Sequence, residues 1–248
     1  MGPYLVNNVN KAKILKDLPE IIEIMINNPT IAGIIADNPT LELYKYLDAF
    51  PSYWLNGKDF AGARVVDKID SNIVWGASGN VAVTENYINI NGTNAHLSNT
   101  SRNYDLGNHF KLIAEVEITS FGAIMDWGSI GSADKNLSFG LGNNYLSMNW
   151  KMKGNSSNPG VKVDTSAISL GKHIFSWEIA PGSETMDKFI GGVDGVYYET
   201  GAIIPKADTF GGYKNWGANT FYLGRGVTSG YGGEWAGKFY SFVIIVED

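Results

Sequence analysis

The plainest pattern along the chain is an alternation. In HFKLIAEVEIT, Phe110, Leu112, Ala114, Val116 and Ile118 fall at every second position, with Lys111, Glu115, Glu117 and Thr119 between them. Successive side chains of a strand point to opposite faces, so this run predicts a strand with one buried apolar face and one solvated polar face. YINING, FGAIMDWG, NLSFGLG, YLSMNW, HIFSWEI and FYLGR predict further strands, bounded by Gly, Asn, Ser and Asp turns. VDGVYYE predicts a tight hairpin, with Asp194 and Gly195 at the positions that need positive φ. The closing stretch GEWAGKFYSFVIIVED breaks the rhythm, because Phe239, Phe242 and Ile244 are spaced three and then two. They share a face only if one additional residue is accommodated between Phe239 and Phe242, which predicts a β-bulge. Tyr240, Val243 and Ile245 predict that this strand is covered on its second face as well.

Residues 13–50 follow a helical period: Ile21, Ile22, Ile24 and Met25, then Ile31, Ile34 and Ile35, then Leu41, Tyr44 and Leu47. Asp17 with Glu20 forms an N-terminal box, and Asn-Pro-Thr at 28–30 and again at 38–40 places an Asn cap before a Pro at the first helical position. Helices of about two turns do not hold together alone in water, so these need a partner surface. The rest of the same chain, copies of the chain and a larger assembly are the alternatives. The change of period divides the chain into a helical segment, 1–56, suited to attachment or oligomerisation, and a β domain, 57–248. Many short strands without interleaved helices predict a mainly-β fold, an antiparallel β-sandwich of jelly-roll type with a short N-terminal α-helical segment.

Composition narrows the partners. A net charge of −6 without a Lys/Arg cluster excludes nucleic acid, since phosphate binding needs a concentrated basic surface. The longest apolar runs, such as FVIIV, are too short for membrane insertion as a helix. The absence of cysteine removes disulfides and thiolate metal sites. The first fifteen residues lack the continuous apolar stretch of a secretory signal.

Leu223-Gly224, Trp235, Gly237, Phe239, Phe242 and Ile244, in that order, resemble the closing strands of concanavalin A-like, laminin-G-type jelly rolls. SLGKHIFSWEI followed by KFIGGVDGVYYE is similar to that family's Gly-x-His strand and Asp-Gly hairpin. YINING and HLSN resemble its opening strands, and FGAIMDWG its fifth or sixth. The resemblance covers about residues 72–246 and consists of turn, bulge and core residues, so it implies a fold and carries no function by itself. A small helical piece joined to such a sandwich resembles bacteriophage tail, baseplate and head-fibre proteins. That resemblance implies a virion protein, made in the host cytoplasm without a signal peptide. It would be mounted on other virion proteins through its N-terminal helices as a homo-oligomer, with a trimer favoured, and its jelly roll would face a host cell-surface glycan.

Glycosidases of this fold carry carboxylates spaced as Glu-x-Asp-x-x-Glu, because hydrolysis needs an acid facing a base or nucleophile across the sugar bond. No such run occurs, and Glu115 and Glu117 read as a solvated face, so no catalytic residue is expected. An enzyme would have to bring together carboxylates from separate strands, such as Glu117 and Glu178. His96, His109 and His173 are scattered and fit no metal motif. No cofactor is expected; calcium is the one cation the loops could take, through Asp134, Asn136, Asp164 and Asp208, which have no specific spacing. GRGVTSGYGG precedes a strand and reads as a loop rather than a phosphate cradle. The remaining surplus is aromatic and amide. Tyr213, Trp216 and Tyr231, with Asn215, sit in loops where no core period explains them, and Trp127 and Trp150 are further candidates that also read as core. Aromatic faces stack on sugar rings while amides bond their hydroxyls, which makes these the expected ligand contacts of a non-catalytic, glycan-binding domain. A structural decoration protein with no ligand is the alternative.

Overall fold

A computed structural model describes residues 29–38, 42–49, 51–59, 64–91, 95–99, 106, 109–128, 136–151, 160–201, 204–205, 221–224 and 235–247. Its strands, numbered in chain order, form two sheets. The first has nine: β1 (Tyr53–Asn56), β4 (Val81–Val83), β5 (Ile88–Ile90), β7 (His109–Ser120), β12 (Gly171–Pro181), β13 (Met186–Val193), β14 (Val196–Glu199), β15 (Ile204–Pro205) and β17 (Ala236–Glu247). The second has eight: β2 (Arg64–Val66), β3 (Val74–Ser78), β6 (His96–Asn99), β8 (Gly122–Gly128), β9 (Asn136–Gly142), β10 (Tyr145–Lys151), β11 (Gly160–Asp164) and β16 (Phe221–Leu223). The first runs β14-β13-β12-β7-β17-β5-β4, with β1 also on β17 and β15 also on β13; the second runs β11-β10-β9-β8-β16-β6-β3-β2. The ladders are antiparallel. The protein is thus mainly β, two antiparallel sheets forming a sandwich, with one short α-helix among the described residues.

The inward face of β7 is the one its alternation predicts: Phe110, Leu112, Ala114, Val116 and Ile118 join Phe139, Leu146, Met148 and Trp177 in the core between the sheets. The bulge in β17 falls where the spacing requires. Phe239 pairs with Val116 and Ser241 with Glu115, so Tyr240 is the additional residue. Phe239, Phe242 and Ile244 therefore all enter the core, and Val243 and Ile245 are buried on the opposite side. The hairpin between β13 and β14 turns on Asp194 and Gly195, with φ of 49° and 84°.

The outward face of β7 departs from expectation. Lys111 and Glu115 are 2% and 0% exposed rather than solvated. The cause is an N-terminal cover, formed by the helix α1 (Pro29–Asp37) and a 3-10 turn at Leu43–Tyr46. Ile31, Ile34, Ile35, Leu43 and Leu47 pack on Trp54, Ile113, Ile174, Val243 and Ile245. Ile113, lying among the polar positions, supplies the apolar contact that seats this cover. Glu117 and Thr119, beyond it, keep access to solvent, as does His109 at the start of the strand. The helix opens at Pro29, the first-turn position where proline's missing N–H is harmless. Asn38, expected to open the next helix, instead closes α1: its Nδ2 donates to the Ile34 carbonyl at 2.6 Å. The sheet takes in Tyr53–Asn56 from the N-terminal side of the expected division at 56/57, through the β1–β17 ladder. The other predicted helical positions, Ile21, Ile22, Ile24, Met25 and Leu41, lie outside the described residues, as do Asp17 and Glu20.

Candidate functional site

β9 and β10 are joined by Asn143-Asn144, and their inward positions, Leu137, Phe139, Leu141, Leu146 and Met148, belong to the core. Their outward positions are Ser138, Gly140 and Gly142 on β9, and Tyr145, Ser147 and Asn149 on β10. Tyr145 stands directly opposite Gly142, Ser147 opposite Gly140, and Asn149 opposite both Ser138 and Gly160 of β11. Each larger side chain lies flat across the glycine facing it. A Cβ on Gly142 would collide with the Tyr145 ring, one on Gly160 with Asn149 Oδ1, and one on Gly140 would sit 2.7 Å from Ser147 Oγ. Glycine within a strand marks such a close approach. The result is a trough on the outer face of the second sheet.

Two cavities share its centre. One, ≈ 320 Å³, extends from Tyr145 and Ser147 over Gly140 and Gly142 to Phe121. The other, ≈ 410 Å³, extends from the same two residues over Asn149 and Gly160 to Lys162. Both volumes lie in the range of small-molecule sites. Ser147 and Asn149 are 2% and 5% exposed. Ser147 Oγ and Asn149 Oδ1 have no hydrogen-bond partner among the described residues. A buried polar atom left unpaired costs about 1–3 kcal/mol, which a ligand hydroxyl can recover. At the rim, Lys162 Nζ lies 5.6 Å from the Tyr145 ring centre and 3.3 Å from Asp164 Oδ1. Among the described residues, the site offers an aromatic face, a hydroxyl and an amide oxygen.

The carboxylates proposed for an enzyme do not meet. Glu117 pairs with Lys172 and Glu178 with Lys111, six register positions apart, or about 20 Å along the strands. Glu117 is engaged by Lys238 and by the Tyr240 hydroxyl at 3.0 and 3.2 Å. The Lys238 hydrogen bond, the largest influence, holds the Glu117 carboxyl below its ordinary range. Burial first, and then the Glu117 charge, pushes the Tyr240 hydroxyl up to about 12.

Ser169, His173 and Asp194 form a chain with the look of a nucleophilic triad: Oγ lies 3.2 Å from Nε2, and Nδ1 2.6 Å from Asp194 Oδ2. Two further contacts give it a structural role. His173 Nε2 also lies 3.1 Å from the Ser169 carbonyl, and Asp194 Oδ1 accepts the Ile174 N–H at 2.8 Å. The cluster ties the start of β12 to the hairpin turn. His109 faces the buried Asp187 at 3.3 Å, and His96 rests edge-on against Tyr222. Among the described residues no group of three or more His, Asp or Glu could hold a metal ion. Of the residues considered for calcium, Asp164 pairs with Lys162, Asn136 opens β9, and Asp134 and Asp208 lie outside the described residues.

Tyr213, Asn215, Trp216 and Tyr231 lie outside the described residues. Trp127 and Trp150 both occupy register positions opposite Leu137, and Trp127 also faces Phe221; Leu137 and Phe221 are core residues. Trp235 is buried in the core, as a strand-like position implied. Tyr145, Ser147 and Asn149 were not anticipated. Their signal is the character of the outward positions in NLSFGLG and YLSMNW, all small or uncharged where a solvated strand ordinarily carries charge.

No protein-family model matches the chain, and neither does any curated protein. Solved structures match in fold. The botulinum neurotoxin serotype D/C binding domain is 12% identical with a TM-score of 0.54, covering 80% of this chain and 49% of that one. The binding domain of botulinum neurotoxin DC in complex with SialylT is 11% identical with a TM-score of 0.51, covering 79% and 47%. The CBM40 domain of Ruminococcus gnavus IT-sialidase, bound to alpha2,3 sialyllactose, is 9% identical with a TM-score of 0.44, covering 57% and 78%. The chain spans about half the length of the toxin domains. These are likenesses of fold, between antiparallel sandwiches.

Proposed function

We propose that the outer face of the second sheet binds carbohydrate and performs no catalysis on it. The observation that carries this reading is the pair of unpartnered polar atoms, Ser147 Oγ where the two cavities meet and Asn149 Oδ1 in the second of them, on the strand that also carries Tyr145. Sugar hydroxyls would pair those atoms while a ring lies against the tyrosine. The sandwich fold is shared with a solved domain in complex with SialylT, which agrees with the reading. A glycan array probed with the wild type, Tyr145→Ala and Ser147→Ala tests it. The wild type should bind, and each substitution should weaken binding, by about tenfold for a lost stacking partner. A silent array would favour a scaffold without ligand. Tyr213, Asn215, Trp216 and Tyr231 are proposed as additional contacts, with Trp216→Ala on the same array as their test.

On this reading the setting is a phage virion, with the host cell surface as the source of the glycan. Support comes from the resemblance of a short helical piece joined to a jelly roll. The apolar stripe of α1 is occupied by the chain's own sheet. A homo-oligomer, a trimer by analogy, would therefore be built by residues before Pro29. Light scattering on the full chain and on a chain lacking residues 1–28 tests this, and a monomeric full chain would overturn it.

A further inference from the structure

Resting on the carbohydrate reading above, we infer that the trough takes an internal stretch of a neutral polysaccharide rather than an acidic terminal sugar. Three features of the lining carry this. The first is charge. Lys162 is the one cation among the described lining residues, and it is already paired with Asp164. The chain as a whole carries −6. A sugar carboxylate is held by an available cation through charge-assisted hydrogen bonds, and the described lining supplies none that is unpaired.

The second feature is the polarity of the unpaired atoms. Asn149 Oδ1 is an acceptor, so a hydroxyl or an amide N–H satisfies it and a carboxylate cannot. Ser147 Oγ accepts or donates, which suits a hydroxyl equally. Their shared demand is for the donors that neutral sugars carry at every ring.

The third is shape. The two cavities lie on opposite sides of Tyr145 and Ser147, and together they cross from the start of β8 to β11. Three interstrand spacings amount to about 14 Å, longer than a single sugar ring. The floor is kept low by Gly140, Gly142 and Gly160, over which the larger side chains already lie flat. A terminal sugar is read by one pocket closed at its end, whereas a trough with its aromatic residue in the middle accepts a chain that continues on both sides.

The experiment uses the full chain. An array of neutral and acidic glycans identifies the best neutral ligand, which is then titrated calorimetrically as oligomers of one to five units, with 3′-sialyllactose as the acidic probe. Affinity should rise about tenfold or more between one and three units and then level off, and sialyllactose should not bind. Ser147→Leu, which places an apolar side chain where the cavities meet, should abolish binding of every length. Tighter binding of acidic glycans, or a monosaccharide bound as well as a trimer, would overturn this inference and leave the carbohydrate reading standing. Length-dependent binding that survives Ser147→Leu would move the ligand off the trough and overturn it as well. An array silent to all glycans would overturn the carbohydrate reading itself.

Discussion

The carboxylate of Glu115 accepts the backbone N–H groups of Glu42 at 2.7 Å and of Leu43 at 2.9 Å, so a residue in mid-sheet caps the turn that anchors the N-terminal cover. Its other oxygen lies 2.6 Å from Lys172 Nζ, a close ion-pair contact outside hydrogen-bond geometry. Glu115→Ala would leave two donors without their acceptor and remove the ion-pair contact that Lys172 makes at 2.6 Å. A stability loss of about 3 kcal/mol is expected in urea unfolding, with Glu115→Gln losing about 1–2 kcal/mol. An alanine variant as stable as the wild type would mean that the cap contributes nothing.

Ile31 is fully buried between α1 and the first sheet, against a surface made by Trp54, Ile113, Ile174, Val243 and Ile245. Ile31→Asp should cost about 3 kcal/mol or more, through lost packing and an unpaired buried charge. It should also raise the binding of a hydrophobic dye. Unchanged melting and dye binding would show that the cover is not part of the stable fold.

Asp67 provides the pH dependence. Its carboxylate accepts N–H bonds from Trp54, Ile69 and Asp70 at 3.0–3.1 Å, yet burial outweighs them and pushes the group up to about 6. The folded protein thus holds this proton more tightly than the unfolded chain does. Its stabilising contribution is complete below the ordinary value of 3.8 and is lost as pH rises through about 6. The size is about 3 kcal/mol. The stability of the wild type relative to Asp67→Asn should therefore fall between roughly pH 4 and pH 7; a difference that stays flat, or grows with pH, contradicts this.

Tyr240 is the inserted residue of the β17 bulge, and it also packs on Tyr87 at 5.4 Å between ring centres. Deleting it would turn either Phe239 or the Phe242 and Ile244 pair out of the core, because one register step exchanges the faces of a strand. The deletion should abolish cooperative thermal unfolding, while Tyr240→Ala, which keeps the register, should melt cooperatively. A deletion variant that melts like the alanine variant would contradict the register account.

What the sequence made legible is what short periods encode. The inward face of β7, the bulge between Phe239 and Phe242, and the Asp194-Gly195 turn each follow from residues a few positions apart. The burial of Lys111 and Glu115 was not legible, because the residues that cover them lie about seventy positions upstream, and the only local hint is Ile113 among polar neighbours. The trough was hidden for a different reason. Large aromatics in loops draw attention in a sequence, whereas Ser147 and Asn149 acquire meaning only from the cross-strand pairing that sets them over Gly140 and Gly160.

Backbone amide shifts followed by NMR during titration with the best array ligand distinguish the outer face of the second sheet from other surfaces as the ligand site. With the ligand in the trough, the largest shifts fall on Gly140, Tyr145, Ser147, Asn149 and Gly160. Shifts confined to residues 206–220 and 225–234, or to the first sheet, with those five amides unmoved, would contradict it.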